Sequence, residues 1–242
     1  ALTVIKGKSS KMIKEKVIFD TDPGIDDAMA LLYLNACNNL ELIAITTILG
    51  NADIDQCTRN ALILRDMFGI KVPVYKGAST MINGTTPDEY PDFVHGKDGL
   101  GDVGLPEVKS ATKTENAATA LVRLSEDFDG DLILLAVGRL TNVALAIQKD
   151  PNFVQRLRQV IIMGGAYKHP GNVTPWAEAN IIGDPEAADI VFNSGLPLTM
   201  VGLDVTSQTR MSMEYLKPIA AQLGKLGDFI MKINNTYAAN YM

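Results

Sequence analysis

Short runs of β-branched and other apolar residues alternate with longer segments of helical periodicity along most of the chain, and this alternation constrains its fold most. Val17–Asp20, Leu42–Ile48, Val72–Tyr75, Asp131–Val137, Val160–Met163 and Leu198–Val201 read as strands. Asp26–Asn38, Asp53–Phe68, Asn116–Phe128, 141–149, Asp184–Asn193 and most of Met213–Ala239 read as helices. In the first helix, apolar positions 29, 32, 33 and 36 are expected to form the buried face. The alternation predicts an α/β fold, a mostly parallel open sheet with helices on both faces and right-handed crossovers. No repeat, linker or low-complexity segment interrupts it, so a single domain over 12–242 is expected. Residues 1–11 precede a methionine that would suit a native start, and are expected to be a tag or a disordered extension. Lys76–Ser110 is rich in Gly, Pro, Asp and Thr and has no period. A stretch this long inside a domain is often a lid or a binding loop.

Charge and cysteine content narrow the partners. The chain of 242 residues carries 22 basic and 28 acidic side chains, a net charge of −6. That balance argues against nucleic-acid and anionic-membrane binding while leaving room for a local cation site. The longest apolar run, Ala28–Leu34, is seven residues, where a membrane helix needs about 18. The first sixteen residues hold five lysines and no long apolar core, unlike a signal peptide. Cys37 and Cys57 lack CxxC spacing and read as free thiols of a reducing compartment, so a cytoplasmic location is expected.

In an open parallel sheet, ligands bind outside the carboxyl ends of the strands. Here those ends are followed by Asp20-Thr21-Asp22-Pro23-Gly24-Ile25-Asp26-Asp27, by Asn51, by Gly138-Arg139-Leu140-Thr141-Asn142, by Gly164-Gly165, and by Asp204. Four carboxylates within eight residues repel one another unless a cation joins them, and hard oxygen donors suit Ca²⁺ or Mg²⁺. A plainer account has Asp22 capping a helix, Pro23 at its first position, and Asp26 and Asp27 complementing its dipole. Leu31 at the twelfth position counted from Asp20 excludes an EF-hand. A second polar group, Asn172 to Asn180 with Glu178 between, supplies the mixed donors and acceptors that hydroxyl-rich ligands need, or else is a polar loop before the helix at Asp184. Trp176 either stacks on a base or packs.

The run Asp20-Thr-Asp-Pro-Gly-Ile-Asp-Asp-Ala28 resembles the signature of the inosine–uridine-preferring nucleoside hydrolases. Ile45–Asn51, Thr58–Ala61, His95–Gly101 (similar to the family's mobile-loop motif), Gly138–Asn142, Met163–Gly165, Asn172–Asn180 and Asp184–Ala188 extend the resemblance over about 16–210. Arg139 stands where the family motif has proline, and Ser207 where many members have histidine. The family carries a further His-Asp pair towards the carboxyl terminus, and the segment bearing it is expected to be missing from this chain.

The resemblance implies a nucleoside-hydrolase-like, Rossmann-related fold and hydrolysis of the N-glycosidic bond of ribonucleosides, in nucleoside salvage and catabolism. It implies one Ca²⁺ held by Asp22, Asp27 and the Thr141 carbonyl, with Asp22 as general base on a bound water. Asp26 and Asn180 would bind ribose hydroxyls, Asn172 and Glu178 the 5′-hydroxyl end, and Asn51 and Met163 would line the pocket. His95 and Trp176 are candidates for the base side, His95 being otherwise a solvated loop residue. A homodimer or homotetramer is implied. Two alternatives remain at this point. One is a haloacid-dehalogenase-type phosphatase using Asp20 and Asp22; the other is a truncated, non-catalytic form that folds but binds metal weakly.

Overall fold

The computed structural model describes residues 13–241. The expected extension 1–11 lies outside the described residues. Six strands, β1 (Glu15–Thr21), β2 (Leu40–Thr47), β3 (Val74–Tyr75), β4 (Leu132–Ala136), β5 (Leu157–Met163) and β6 (Leu198–Val201), form one sheet in the order β3-β2-β1-β4-β5-β6. Every pairing is parallel. The helices are α1 (Ile25–Ala36), α2 (Ile54–Met67), α3 (Asp92–His95), α4 (Ala117–Asp127), α5 (Thr141–Lys149), α6 (Phe153–Arg156), α7 (Ala179–Gly183), α8 (Pro185–Phe192), α9 (Leu203–Thr206), α10 (Met213–Ala220) and α11 (Lys225–Tyr241). The predicted α/β fold with a parallel sheet is the one observed. Among the described residues no helix is long and apolar enough to cross a membrane.

Successive strand residues face opposite sides. Ile18 packs with Leu134, Ala136, Val160 and Ile162 beneath α4, α5 and α8, while Phe19 packs with Ile45 and Val74 beneath α1, α2 and α11. From β1 the chain winds outward through β2 and β3, then returns to place β4 on the other side of β1. The β1/β4 crevice is therefore the point where strand order reverses, the customary ligand position in such sheets.

Local chemistry sets the helix starts. Asp53, Asn116, Asp184 and Ser212 each accept a main-chain N–H from the first turn of the helix they cap. The start of α1 differs from the expected one. Gly24, not Asp22, is the cap residue, and the Asp27 carboxylate reaches back to the Gly24 N–H at 3.0 Å. Pro23 lies outside the helix.

The buried face of α1 also differs. Ile25, Ala28, Leu31 and Leu34 are buried, whereas Tyr33 is 72% exposed. The helix is apolar nearly all round, so two stripes compete. The stripe chosen is the one that turns Asp27 inward and leaves Asp26 outward.

Lys76–Ser110 is largely irregular, as expected, but it is pinned. Leu100 is fully buried among α1, α2 and α11 residues. Asn60 Nδ2 donates to the Asp98 carbonyl at 2.8 Å, and the Gly101 N–H to the His95 carbonyl at 2.7 Å. The Asp98 and Asp102 carboxylates accept the loop's own N–H groups. Asp102 sits at φ 54° and Gly101 at 86°, the left-handed region that makes this tight fold-back. α7 was not anticipated; its single turn hangs from the Glu178 cap.

Candidate active site

β1 ends in the acidic cluster, and each carboxylate there has a different environment. Asp20 is fully buried; its Oδ1 accepts from Thr46 Oγ1 at 2.5 Å and Asn142 Nδ2 at 2.8 Å. Its Oδ2 is the one buried side-chain polar atom without a partner among the described residues. Burial raises the Asp20 pKa to about 6.

Asp22 is buried with Oδ2 on the Asn51 N–H at 2.9 Å. Burial, with the charges of Asp27 and Asp26, pushes its pKa well up. Asp27 accepts from Thr21 Oγ1 at 2.5 Å, the Gly24 N–H and Asn51 Nδ2 at 3.2 Å. Burial, then the Asp26 charge, raises it to about 7. Asn51 Nδ2 also donates to the Asp22 carbonyl at 3.0 Å. Asn51 thus holds Asp22 and Asp27 as a pair.

Glycines make room for this pair. A Cβ on Gly50 would lie 1.9 Å from Asp22 Oδ2, and one on Gly138 2.6 Å from Asp22 Oδ1. The β4–α5 turn therefore abuts Asp22. Thr141 opens α5 with its hydroxyl on Asp184 Oδ2 at 2.6 Å. Asn142 is fully buried and joins Asp20 Oδ1, the Thr47 carbonyl and the Ala78 N–H.

Across the crevice, Glu178 is buried and accepts from Gly165 N at 2.8 Å, Asn180 N at 2.9 Å and Ile181 N at 3.1 Å. Asn180 Nδ2 donates to the carbonyls of Val137 and Met163 and to Met163 Sδ. Asn172 is exposed and accepts the Ala179 N–H at 2.9 Å. The second polar cluster is therefore an ordered strip built on α7, beyond a mere linker to α8.

His95 is buried, not solvated: its Nδ1 accepts the Ile25 N–H at 3.2 Å and lies 4.0 Å from Asp26 Oδ1. That hydrogen bond leaves the ring proton on Nε2. Burial lowers its pKa. The Tyr237 ring of α11 stands 5.6 Å away. Trp176 is 88% exposed, so it does not pack into the core; it borders a groove of about 380 Å³ with Tyr167, Ile182, Phe192 and Met200.

Asp22, Asp27 and Asn51 are thus brought together, with Asp26 and His95 beside them. Glu178, Asn180 and Met163 meet the β4 end through Val137. Asn172 and Trp176 lie further out on the same segment. The sequence reading left Asp184, Asn142, Gly50 and Gly138 without roles. Gly50, Gly138 and Asn142 carry a signal only as small or amide residues shortly after strands, and Asp184 only as a helix cap before Pro185. Among the described residues no three Asp, Glu, His or Cys side chains converge as a ready-made metal group. A phosphatase nucleophile at Asp20 would be sealed from any substrate, since that side chain is wholly buried and bonded to Thr46 and Asn142.

A parallel sheet with paired carboxylates at its reversal point and amides facing them is the architecture of an α/β enzyme that takes a polar small molecule. Residues 17–242 match the sequence profile of the inosine-uridine preferring nucleoside hydrolases. Uridine nucleosidase 1 of Arabidopsis thaliana is 44% identical over 224 residues, 92% of this chain and 66% of that protein. The inosine-uridine preferring nucleoside hydrolase of Leishmania major is 37% identical over 230 residues, 93% of this chain and 72% of that one. The solved purine-preferring ribonucleoside hydrolase from Gardnerella vaginalis superposes with a TM-score of 0.90 at 37% identity, covering 94% of this chain and 73% of its own. The chain belongs to the inosine-uridine preferring nucleoside hydrolase family, hydrolases that act on nucleosides. It spans 66% to 73% of the length of these three relatives.

Proposed function

We propose that this protein hydrolyses the N-glycosidic bond of ribonucleosides, releasing free base and ribose, with Asp22 as general base. The observation that carries the reading is the pair of buried carboxylates, Asp22 and Asp27, with which no lysine or arginine among the described residues forms an ion pair. Uncompensated buried charge of this kind is stabilised by a cation. The donor set is all oxygen, and Gly50 and Gly138 bring the backbone against Asp22 with no side chain in between. These features fit Ca²⁺, held by Asp22, Asp27 and the Thr141 carbonyl. Water and ribose hydroxyls would supply the further oxygen donors such an ion takes. When bound, such an ion lowers the pKa of water and orients the sugar.

The remaining steps belong to the chain's own residues. Asp22 takes the proton of the attacking water as its oxygen bonds to the anomeric carbon and the C–N bond breaks. Positive charge spreads over the ribosyl ring in the transition state, as in glycoside hydrolysis. Asp26 and Asn180 bind ribose hydroxyls, with Asn180 Oδ1 the available atom because its amide hydrogens hold Val137 and Met163. Asn172 and Glu178 serve the 5′ end, and Asn51 and Met163 line the pocket. His95, with its proton on Nε2, faces the leaving base, with Trp176 at the outer edge. Cys37 and Cys57 are free thiols, as suits a reducing compartment, and the reading extends by family resemblance to a cytoplasmic homodimer or homotetramer acting in nucleoside salvage.

The test is release of base and ribose from inosine, uridine, cytidine and adenosine, with Ca²⁺ and with chelator. Turnover that chelation removes and Ca²⁺ restores supports the proposal; release of phosphate from phosphomonoesters, with nucleosides untouched, would overturn it. Folded protein that neither binds Ca²⁺ nor cleaves a nucleoside corresponds to the non-catalytic alternative.

A further inference from the structure

Three side-chain hydrogen bonds join the β4–α5 turn to the segment that bears Glu178 and Asn180. Asn180 Nδ2 donates to the Val137 carbonyl at 2.8 Å. Arg139 Nη1 donates to the Gly183 carbonyl at 2.9 Å. Thr141 Oγ1 donates to Asp184 Oδ2 at 2.6 Å. Alternate residues of the turn, at 137, 139 and 141, each meet the strip 180–184. Thr141 and Asp184 are fully buried, and Asp184 Oδ2 also accepts the Ile82 N–H at 2.8 Å. Arg139 lies flat on Gly183, where a Cβ would come within 2.8 Å of Arg139 Nε.

The two strips face different parts of the mouth. The turn sets Gly138 against Asp22 and carries the Thr141 carbonyl. The other strip carries Glu178 and Asn180. We propose that Arg139 and Thr141 are positioning residues that fasten the cation side of the mouth to its sugar side, so that both are held at one spacing. The inference rests on the proposed cation-and-ribose site. Neither side chain touches the ligand; each acts through the strip it ties down.

The experiment uses the full chain in calorimetric titrations with Ca²⁺ alone and with D-ribose in excess Ca²⁺, alongside base release from inosine and uridine. Thr141→Val keeps the shape and removes the donor, and Thr141→Ser restores it. Arg139→Ala removes the strap, and Arg139→Lys keeps a donor. Losing one hydrogen bond to a buried side-chain acceptor predicts Ca²⁺ and ribose affinities up to about tenfold weaker in Thr141→Val. KM should rise more than kcat falls, because ground-state and transition-state binding weaken together. The defect should persist at temperatures where circular dichroism shows the variant folded, and Thr141→Ser should restore the parent values. A smaller effect in the same direction is expected for Arg139→Ala, with Arg139→Lys intermediate.

If Thr141→Val and Arg139→Ala lose thermal stability but keep both affinities, the positioning role is wrong. It is equally wrong if Thr141→Ser is as impaired as Thr141→Val. A parent chain that binds Ca²⁺ and cleaves nucleosides while every variant equals it defeats this inference alone. A parent chain that does neither defeats the proposed function and this inference together.

Discussion

Asp22 is framed by two residues that have no side chain, and this shapes what any substitution near it does. Replacing Asp22 with Asn keeps the hydrogen bond from the Asn51 N–H but removes the proposed base. Turnover of the best nucleoside should fall by about 10² to 10⁴ with the protein still folded, measured by base release and circular dichroism. Gly50→Ala puts a methyl group within 1.9 Å of the Asp22 carboxylate. Overpacking of this kind costs roughly 1–3 kcal/mol, and denaturant unfolding should show it together with a loss of turnover. Much of this was legible in the sequence, because residues directly after parallel strands must reach the rim. What was not legible is how individual side chains settle. His95 sits in a glycine-rich stretch that looks solvated, yet the Ile25 N–H at the start of α1 draws its ring inside. Trp176 looks like a core residue by type and stands in the open, because its short loop is held by Thr174 and Asn172 rather than by apolar contact.

Helix α1 shows where pattern reading fails at the level of an element. When nearly every position is apolar, periodicity offers two faces, and the choice falls to the polar residues. Here the Asp27 carboxylate must meet Gly24 and Thr21, and that rotation brings Ile25, Ala28, Leu31 and Leu34 onto the sheet. Strand positions were readable to within a few residues, β6 at the same bounds, because buried parallel strands are short continuous apolar runs. The long segment after β3 reads as a lid, but its centre is fastened. Leu100 is its anchor, so Leu100→Ala should cost about 2–5 kcal/mol in chemical denaturation. Amide exchange at 97–102 should accelerate at the same time, since the Asp98 and Asp102 turn rests on that side chain. A change in stability with exchange at 97–102 untouched would mean the loop is held elsewhere.

For the molecule as a whole, a cation that binds only the folded chain adds stability by mass action. At a free concentration a hundredfold above its Kd, Ca²⁺ should add about 2.7 kcal/mol. A chain of this size shifts its Tm by about 2–4 °C per kcal/mol, so calorimetry should show a rise of several degrees that chelator reverses. Asp22→Ala should abolish that rise. The fold class was readable because strand–helix alternation admits few solutions, whereas the strand order that puts β4 beside β1 is settled only by packing.

That order has a kinetic consequence. Lys16 pairs with Leu132 and Asp20 with Ala136, so the central contact of the sheet closes a loop of more than a hundred residues. Such long-range pairings are slow to form. The mouth needs Asp22 from one side of that contact and the 137–141 turn from the other. On the proposed cation site, a partly folded chain has none to offer, and Ca²⁺ should slow unfolding without hastening folding.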